Sequence, residues 1–321
     1  MTLCWTLLDH RPGTANQVIG LARATGFTIV EKHLEYNRLA QLPNALHFYG
    51  LMGLIKASRV HIRPPWPDVV IAAGRRAAPV AHHIKRTHTS TKLVHLMHPE
   101  LPLSQFDLII LPQHDGTEER GNIVTSFGAP HLLTDTLLFE ARARLPLNPD
   151  IFPKPWTMLA LGGNTPHGSF RLSDALHLVQ LLAPLAHEGG TLLLTPSRRT
   201  PHALLRAVMD EFAKLYPLTR MHVYHIGQEG ENPYHAWLAQ ADRCIVTADS
   251  ISMVSEAAFV GKPLYLYAPR DAMSDKHRSF MQAMIESDYA RSLQDIHPLW
   301  VGGLRLDEAS RLARNIINLI Q

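Results

Sequence analysis

The sequence predicts an α/β protein built from two Rossmann-like domains, each a parallel sheet with helices on both faces. Three observations carry this. Short apolar runs alternate with helix-length stretches along the whole chain, which is how consecutive βαβ units read. Most runs are apolar at successive positions rather than every second one, as in strands covered on both faces. The 321 residues exceed one average domain, and the segment 146–156, carrying Pro146, Pro149, Pro153 and Pro155, cannot sustain a helix or central strand. The expected organisation is an N-terminal domain 1–145, a Pro-rich linker 146–156 and a C-terminal domain 157–321. The last helix is a candidate to pack back on the first domain.

The elements follow in order. Leu3–Leu8 is the first strand, and a loop from Asp9 to Thr14 opens a helix reaching Ala24, with Thr14 as its N-cap. Residues 27–33 form the second strand. An apolar stretch, 46–55, leads into a basic segment, then 68–73 is a strand and Gly74-Arg75-Arg76 opens a helix to Arg86. Residues 92–97 and 108–112 are further strands, with 123–125 as an edge. Beyond the linker come a strand at 158–161, a Gly-Gly loop, a helix from Ser173 to His187, and a strand at 191–195. A further helix, a strand at 222–225, a helix at 233–239, a strand–helix–strand unit over 243–268 and a terminal helix at 307–319 complete the domain.

Composition narrows the function classes. With 46% hydrophobic and 18% charged residues the chain is ordinary globular protein. Its two cysteines, Cys4 and Cys244, fall in separate strands, so reduced buried thiols and a cytoplasmic setting are expected. The N-terminus has no basic leader, and no apolar run is long enough to span a bilayer. Between Lys56 and Lys92 eight Lys and Arg face only Asp68, a local basic field beside the apolar stretch 46–55. That pairing suggests peripheral docking on an anionic membrane. No groove-reading motif accompanies the basic residues, so nucleic acid is not an expected partner. The twenty histidines give no metal spacing, because His82-His83 diverge and His95 and His98 lie three apart on a strand.

Chemistry concentrates in three loops of the second domain that follow strands and therefore share one sheet edge, where open α/β sheets bind ligands. Gly162-Gly163-Asn164-Thr165 offers backbone amides to an anion. Ser197, Arg198 and Arg199 offer a hydroxyl and two guanidinium groups. Asp249, Ser250 and Ser252 open a helix that also carries Ser255 and Glu256, and any of the first three can cap its first turn. For a general base, His114-Asp115 after one strand and Asp9-His10 after another are equal candidates.

The run from Asp249 to Glu256, followed by Gly261-Lys262-Pro263, resembles the nucleotide-sugar segment of GT-B glycosyltransferases, above all the lipid II-forming N-acetylglucosaminyltransferases. That resemblance assigns Glu256 the two ribose hydroxyls of the nucleotide. Where those enzymes have Gly in the loop, this chain has Ser250. Five segments, Ile71 to Arg76, Pro112 to Asp115, Ala160 to Thr165, Thr195 to Thr200 and Thr247 to Glu256, together resemble the mitochondrial fission ELM family. The resemblance implies a GT-B-like fold, its two sheets facing a cleft. Bacterial members are regarded as glycosyltransferases, whereas the plant member recruits a dynamin-like protein to the mitochondrial surface. The implied function is transfer from a nucleoside-diphosphate sugar, UDP-linked, without metal or other cofactor, to an acceptor that is a candidate for lipid linkage. Two alternatives stand beside it: a nucleotide-sugar 2-epimerase, which shares the fold, and a non-catalytic membrane-surface scaffold.

Overall fold

The computed structural model describes residues 1–44, 50–116, 118–166, 168–297 and 300–321. The chain divides into two units, Met1–Leu132 with Asp307–Gln321, and Leu133–Leu306. Each contains a six-stranded, all-parallel sheet.

In the first unit β1 (Leu3–Leu8), α1 (Pro12–Ala24), β2 (Thr28–His33), α2 (Lys56–Arg59), β3 (Val69–Ala73), α3 (Ala78–Thr87), β4 (Lys92–Leu96), β5 (Leu108–Pro112) and β6 (Ile123–Ser126) follow one another. The strands lie in the order β2-β1-β3-β4-β5-β6. The order reverses at the β1/β3 junction, the switch point where such sheets open a crevice. Alternate residues feed two cores. Leu7, Val70, Ala72 and Ile109 meet Val80 and Ile84 of α3, while Cys4, Ile71, Val94 and Ile110 meet Leu21 of α1. The second core is closed by the last helix of the chain, Glu308–Ile320, through Leu312, Ala313 and Ile316 at helical spacing. Buried Glu308 fastens that helix, accepting the Phe127 amide at 2.8 Å and pairing with Arg311 at 2.8 Å.

Two helix starts differ from expectation. Helix α1 begins at Pro12 with Arg11 as an uncapped N-cap, because proline fits the first helical position better than Thr14 could cap two residues later. Helix α3 begins at Ala78 rather than at Gly74, whose φ of +73° turns the chain first.

The second unit starts with α4 (Asp135–Arg144), ahead of the Pro-rich 146–156. That segment is part of the unit rather than a free linker. The Leu147 amide donates to Gln240 at 2.8 Å, and the Trp156 amide donates to Asp242 at 2.7 Å, so its prolines shape a packed edge. There follow β7 (Trp156–Leu161), α5 (Leu172–Leu181), α6 (Ala183–Glu188), β8 (Thr191–Pro196), α7 (His202–Leu215), β9 (Arg220–Val223), α8 (Tyr234–Gln240), β10 (Arg243–Thr247), α9 (Ile251–Phe259), β11 (Leu264–Tyr267), α10 (Asp275–Glu286) and β12 (Arg291–Ser292). Glu308–Ile320 is α11. The order β12-β11-β10-β7-β8-β9 buries β7 and β10 completely. The single helix expected at 173–187 is two, since Pro184 cannot donate to the preceding turn. Helix α10 was not expected from the sequence, although Ser274 caps it and Phe280 and Met284 mark its buried face.

Candidate functional site

The three loaded loops of the second unit do come together at the carboxyl ends of β7, β8 and β10, and they bind one another tightly. The Gly162 amide donates to Thr247 Oγ1 at 2.7 Å, and the Gly163 amide donates to Asp249 Oδ2 at 2.9 Å. The same Asp249 oxygen takes an N–H of Arg199 at 3.0 Å, and another Arg199 N–H reaches the Asn164 carbonyl at 3.0 Å. Thr200 Oγ1 closes the knot by donating to the Gly162 carbonyl and accepting the Ser197 amide at 2.9 Å. Both glycines are required by this closeness. A Cβ on Gly162 would lie 2.1 Å from the Asp249 carboxylate, and one on Gly163 would lie 2.1 Å from the Arg199 carbonyl oxygen.

This geometry corrects several expectations. The two glycine amides are occupied by side chains, so they do not form an open anion nest. Arg199 is turned inward as the counter-ion of fully buried Asp249, which leaves exposed Arg198 as the cation of that loop. Asn164 Oδ1 accepts the Phe170 amide at 3.0 Å and shapes its own loop, while Thr165 Oγ1 donates to the Ala272 carbonyl at 2.8 Å and ties that loop to the one after β11. None of Asp249, Ser250 and Ser252 caps α9, because Asp249 is committed to Gly163 and Arg199. Ser255 is buried and donates back to the Ile251 carbonyl at 2.8 Å. What remains open is the uncapped positive end of α9, with Ser250 and Ser252 half-buried beside it.

Glu256 sits one turn further along α9, half-buried, and its Oε2 accepts the Tyr234 hydroxyl at 2.8 Å. Burial raises its carboxyl pKa from 4.5 to about 7, a rise that the Tyr234 hydrogen bond opposes. Tyr234 is held in turn. Its amide donates to Asn232 at 3.0 Å, and Lys262 ties the far end of α8 to the β11 turn by donating to the Ala239 carbonyl at 2.7 Å. Lys262 thereby has a structural task in this strand–helix–strand unit. Tyr234 escaped the sequence reading because nothing in its spacing marks a partner 22 residues away.

In the first unit the four candidate bases occupy one sheet edge but not one place. Asp9-His10 follows β1 and His114-Asp115 follows β5, with β3 and β4 between them. At ordinary strand spacing that is roughly 14 Å. Asp9 lies 3.5 Å from Arg76 and 3.7 Å from Arg11, as their counter-ion. His10 and Asp115 are exposed and His114 is half-buried. The basic field is also smaller than the sequence suggests. Lys85 and Lys92 share Asp107, at 3.0 and 3.6 Å, while Arg75 lies 3.7 Å from Glu100. Part of the apolar stretch, residues 46–49, lies outside the described residues. Of the rest, Leu54 is core, while Met52 is exposed with nearby Leu39, Leu42 and Val60. No described helix is long and apolar enough to cross a membrane, and among the described residues no three His, Cys, Asp or Glu gather as metal ligands would.

The family model described as Mitochondrial fission ELM1 matches residues 12–320. The uncharacterized protein RP120 of Rickettsia prowazekii (strain Madrid E) is 32% identical over 322 residues, covering 89% of each chain. The mitochondrial fission protein ELM1 of Arabidopsis thaliana is 27% identical over 274 residues, covering 77% of this chain and 63% of that one. Among solved structures, MurG of Acinetobacter baumannii aligns with a TM-score of 0.52 at 12% identity, covering 99% of this chain and 92% of that one. The UDP-GlcNAc 2-epimerase of Methanocaldococcus jannaschii aligns with 0.51 at 14% identity, covering 99% and 100%. At such identities the likeness is one of fold, and the fold is GT-B-like.

Proposed function

The chain belongs to the mitochondrial fission ELM1 family, and from that premise we propose that it is a metal-independent glycosyltransferase using a nucleoside-diphosphate sugar, UDP-linked, as donor. The observation that carries this reading is Glu256, a half-buried carboxyl with one oxygen held by Tyr234, one turn beyond the uncapped end of α9. Its remaining oxygen accepts the ribose hydroxyls, while the first-turn amides and Arg198 take the diphosphate charge. The donor's sugar–phosphate bond breaks, the sugar passes to an acceptor hydroxyl, and the nucleoside diphosphate leaves. The acceptor proton passes to a general base, for which the first unit offers His114-Asp115 and His10 as candidates. Asp9 is set aside for this role by its two arginine neighbours.

The test is calorimetric titration with UDP and UDP-sugars. Losing a hydrogen bond to a charged group costs about 1.5–3 kcal/mol, so Glu256→Gln should bind roughly tenfold or more weakly. Because the carboxyl titrates at about 7, parent affinity should rise between about pH 6 and pH 8 as the acceptor form appears, and Glu256→Gln should lose that rise. Folding linkage has the opposite sign. A carboxyl whose folded pKa is raised costs stability as pH climbs from 4.5 to about 7, and Glu256→Gln should flatten that slope. Equal UDP affinity in parent and variant at every pH ends the ribose assignment.

Arg198→Ala should weaken UDP and UDP-sugars several-fold while leaving uridine unchanged, since the guanidinium acts on charge. A uniform loss across all three ligands contradicts its phosphate role. One observation favours the scaffold reading instead: the glycine amides and Arg199 are already satisfied internally. Absence of any nucleotide binding would select it.

For the acceptor we propose a lipid-linked molecule reached by docking of the first unit on an anionic membrane. Exposed Leu39, Leu42, Met52 and Val60 beside Lys56 and Arg63 support this, because apolar insertion and basic residues add near an anionic leaflet. Arg59 is not a suitable probe, since it donates to the Leu54 carbonyl at 2.9 Å and the Met52 carbonyl at 3.1 Å. Co-sedimentation with anionic vesicles should fall with salt and with Lys56→Glu plus Arg63→Glu. No sedimentation at low salt would make the acceptor a soluble one.

A further inference from the structure

The first unit holds a cavity of about 250 Å³ at the β1/β3 switch point, unconnected with the nucleotide reading of the second unit. Three elements build it. The turn after β1 brings Asp9 and Arg11, with Thr14 from α1; the turn after β3 brings Arg75 and Arg76; the turn after β4 brings Glu100. Three guanidinium groups therefore meet two carboxylates, an excess of one positive charge in a confined space.

The arginines are unequally committed. Arg75 donates to the Leu42 carbonyl at 2.8 Å, which fixes it. Arg76 is four-fifths buried, stacks over the Tyr36 ring at 5.1 Å and lies 3.5 Å from Asp9, beyond a good hydrogen bond. Among the described residues no hydrogen bond uses its N–H groups, so a rigidly held fork of donors faces the cavity. Arg11 is 3.7 Å from Asp9 and mostly exposed at the rim. Helix α1 adds its uncapped end, with no acidic residue in the first turn, and beside Gly13 there is open space. The floor is strained as well. Met97 (φ +66°) and Glu100 (φ +54°) both line this cavity in left-handed conformations that side chains disfavour, a cost that clusters at ligand sites.

We propose that this cavity is a phosphoryl-binding site, taking one phosphate or pyrophosphate group of a ligand whose remainder lies outside. Its volume is below that of a typical drug-sized pocket and suits a compact oxyanion. Arginine forks match phosphate oxygens in pairs, and Thr14 adds a hydroxyl. An incoming phosphoryl group competes with Asp9 for Arg76 and Arg11, so in the empty site Asp9 offsets part of the positive charge without cancelling it.

The phosphoryl group could belong to a soluble ester or to a lipid headgroup, and two probes separate these. Inorganic pyrophosphate is titrated calorimetrically into the full chain carrying Glu256→Gln and Arg198→Ala, which disable the nucleotide site proposed for the second unit without filling this cavity. Phosphatidylcholine vesicles with and without phosphatidic acid are tested by co-sedimentation. Arg76→Gln should weaken pyrophosphate binding about tenfold or more and leave UDP affinity unchanged, the reverse of Glu256→Gln. Arg11→Ala, at an exposed side chain that cannot affect folding much, should weaken it about threefold, and added salt should weaken it further. Loss confined to phosphatidic acid vesicles would assign the group to a lipid. Unchanged pyrophosphate and vesicle binding in both arginine variants overturns the site, whatever UDP does.

Discussion

Asp249→Ala is expected to lower the stability of the second unit by about 3 kcal/mol, the low end of the range for breaking a buried ion pair. The carboxylate is fully buried, accepts the Gly163 amide and pairs with Arg199. Without it the amide has no partner, and a guanidinium pinned between the Gly163 and Asn164 carbonyls loses its counter-charge. The estimate stays at the low end because Arg199 is 38% exposed and water can reach it. Denaturant unfolding should show an earlier midpoint with an unchanged slope, and Asp249→Asn, which keeps an acceptor for Gly163, should recover part of the loss. An alanine variant as stable as the parent means the Asp249 knot is incidental to the fold.

Gly163→Ala should be of similar size and arise from crowding rather than charge. Its added methyl meets backbone on the neighbouring loop, with the Arg199 carbonyl carbon at 2.3 Å and the Thr200 nitrogen at 2.6 Å, so no rotamer relieves the clash. Overpacking of this kind costs about 1–3 kcal/mol. Here the displaced loop also carries Arg198, so UDP affinity should fall together with stability. Gly13→Ala is the control, because its added Cβ meets open space. If Gly163→Ala and Gly13→Ala unfold alike, the loops are less closely joined than their contacts imply.

These two variants mark where the sequence was legible and where it was not. Strands such as Val69–Ala73 and Leu264–Tyr267 were readable because burial on both faces leaves a run of apolar letters. The loops were readable as turns, from Gly162-Gly163 and Pro196, and as three elements sharing one edge. Their internal bonds were not, since Gly162 to Thr247 and Gly163 to Arg199 join residues 85 and 36 apart through packing that no local pattern records. The same limit made Arg198 and Arg199 look equivalent and hid Tyr234 behind Glu256. The apolar pattern of Glu308–Ile320 predicted a helix and made it a candidate to return to the first domain, and the bare face of the first sheet is where it lies.

That last helix has a consequence for how the molecule is made. During synthesis the whole second unit emerges before α11 does, so the first sheet waits with Cys4, Ile71 and Val94 partly uncovered. A nascent chain stalled in that interval presents an apolar surface of the kind chaperones retain. A fragment ending at Leu132 should therefore aggregate, while the same fragment supplied with the α11 peptide should be rescued in proportion to the peptide added.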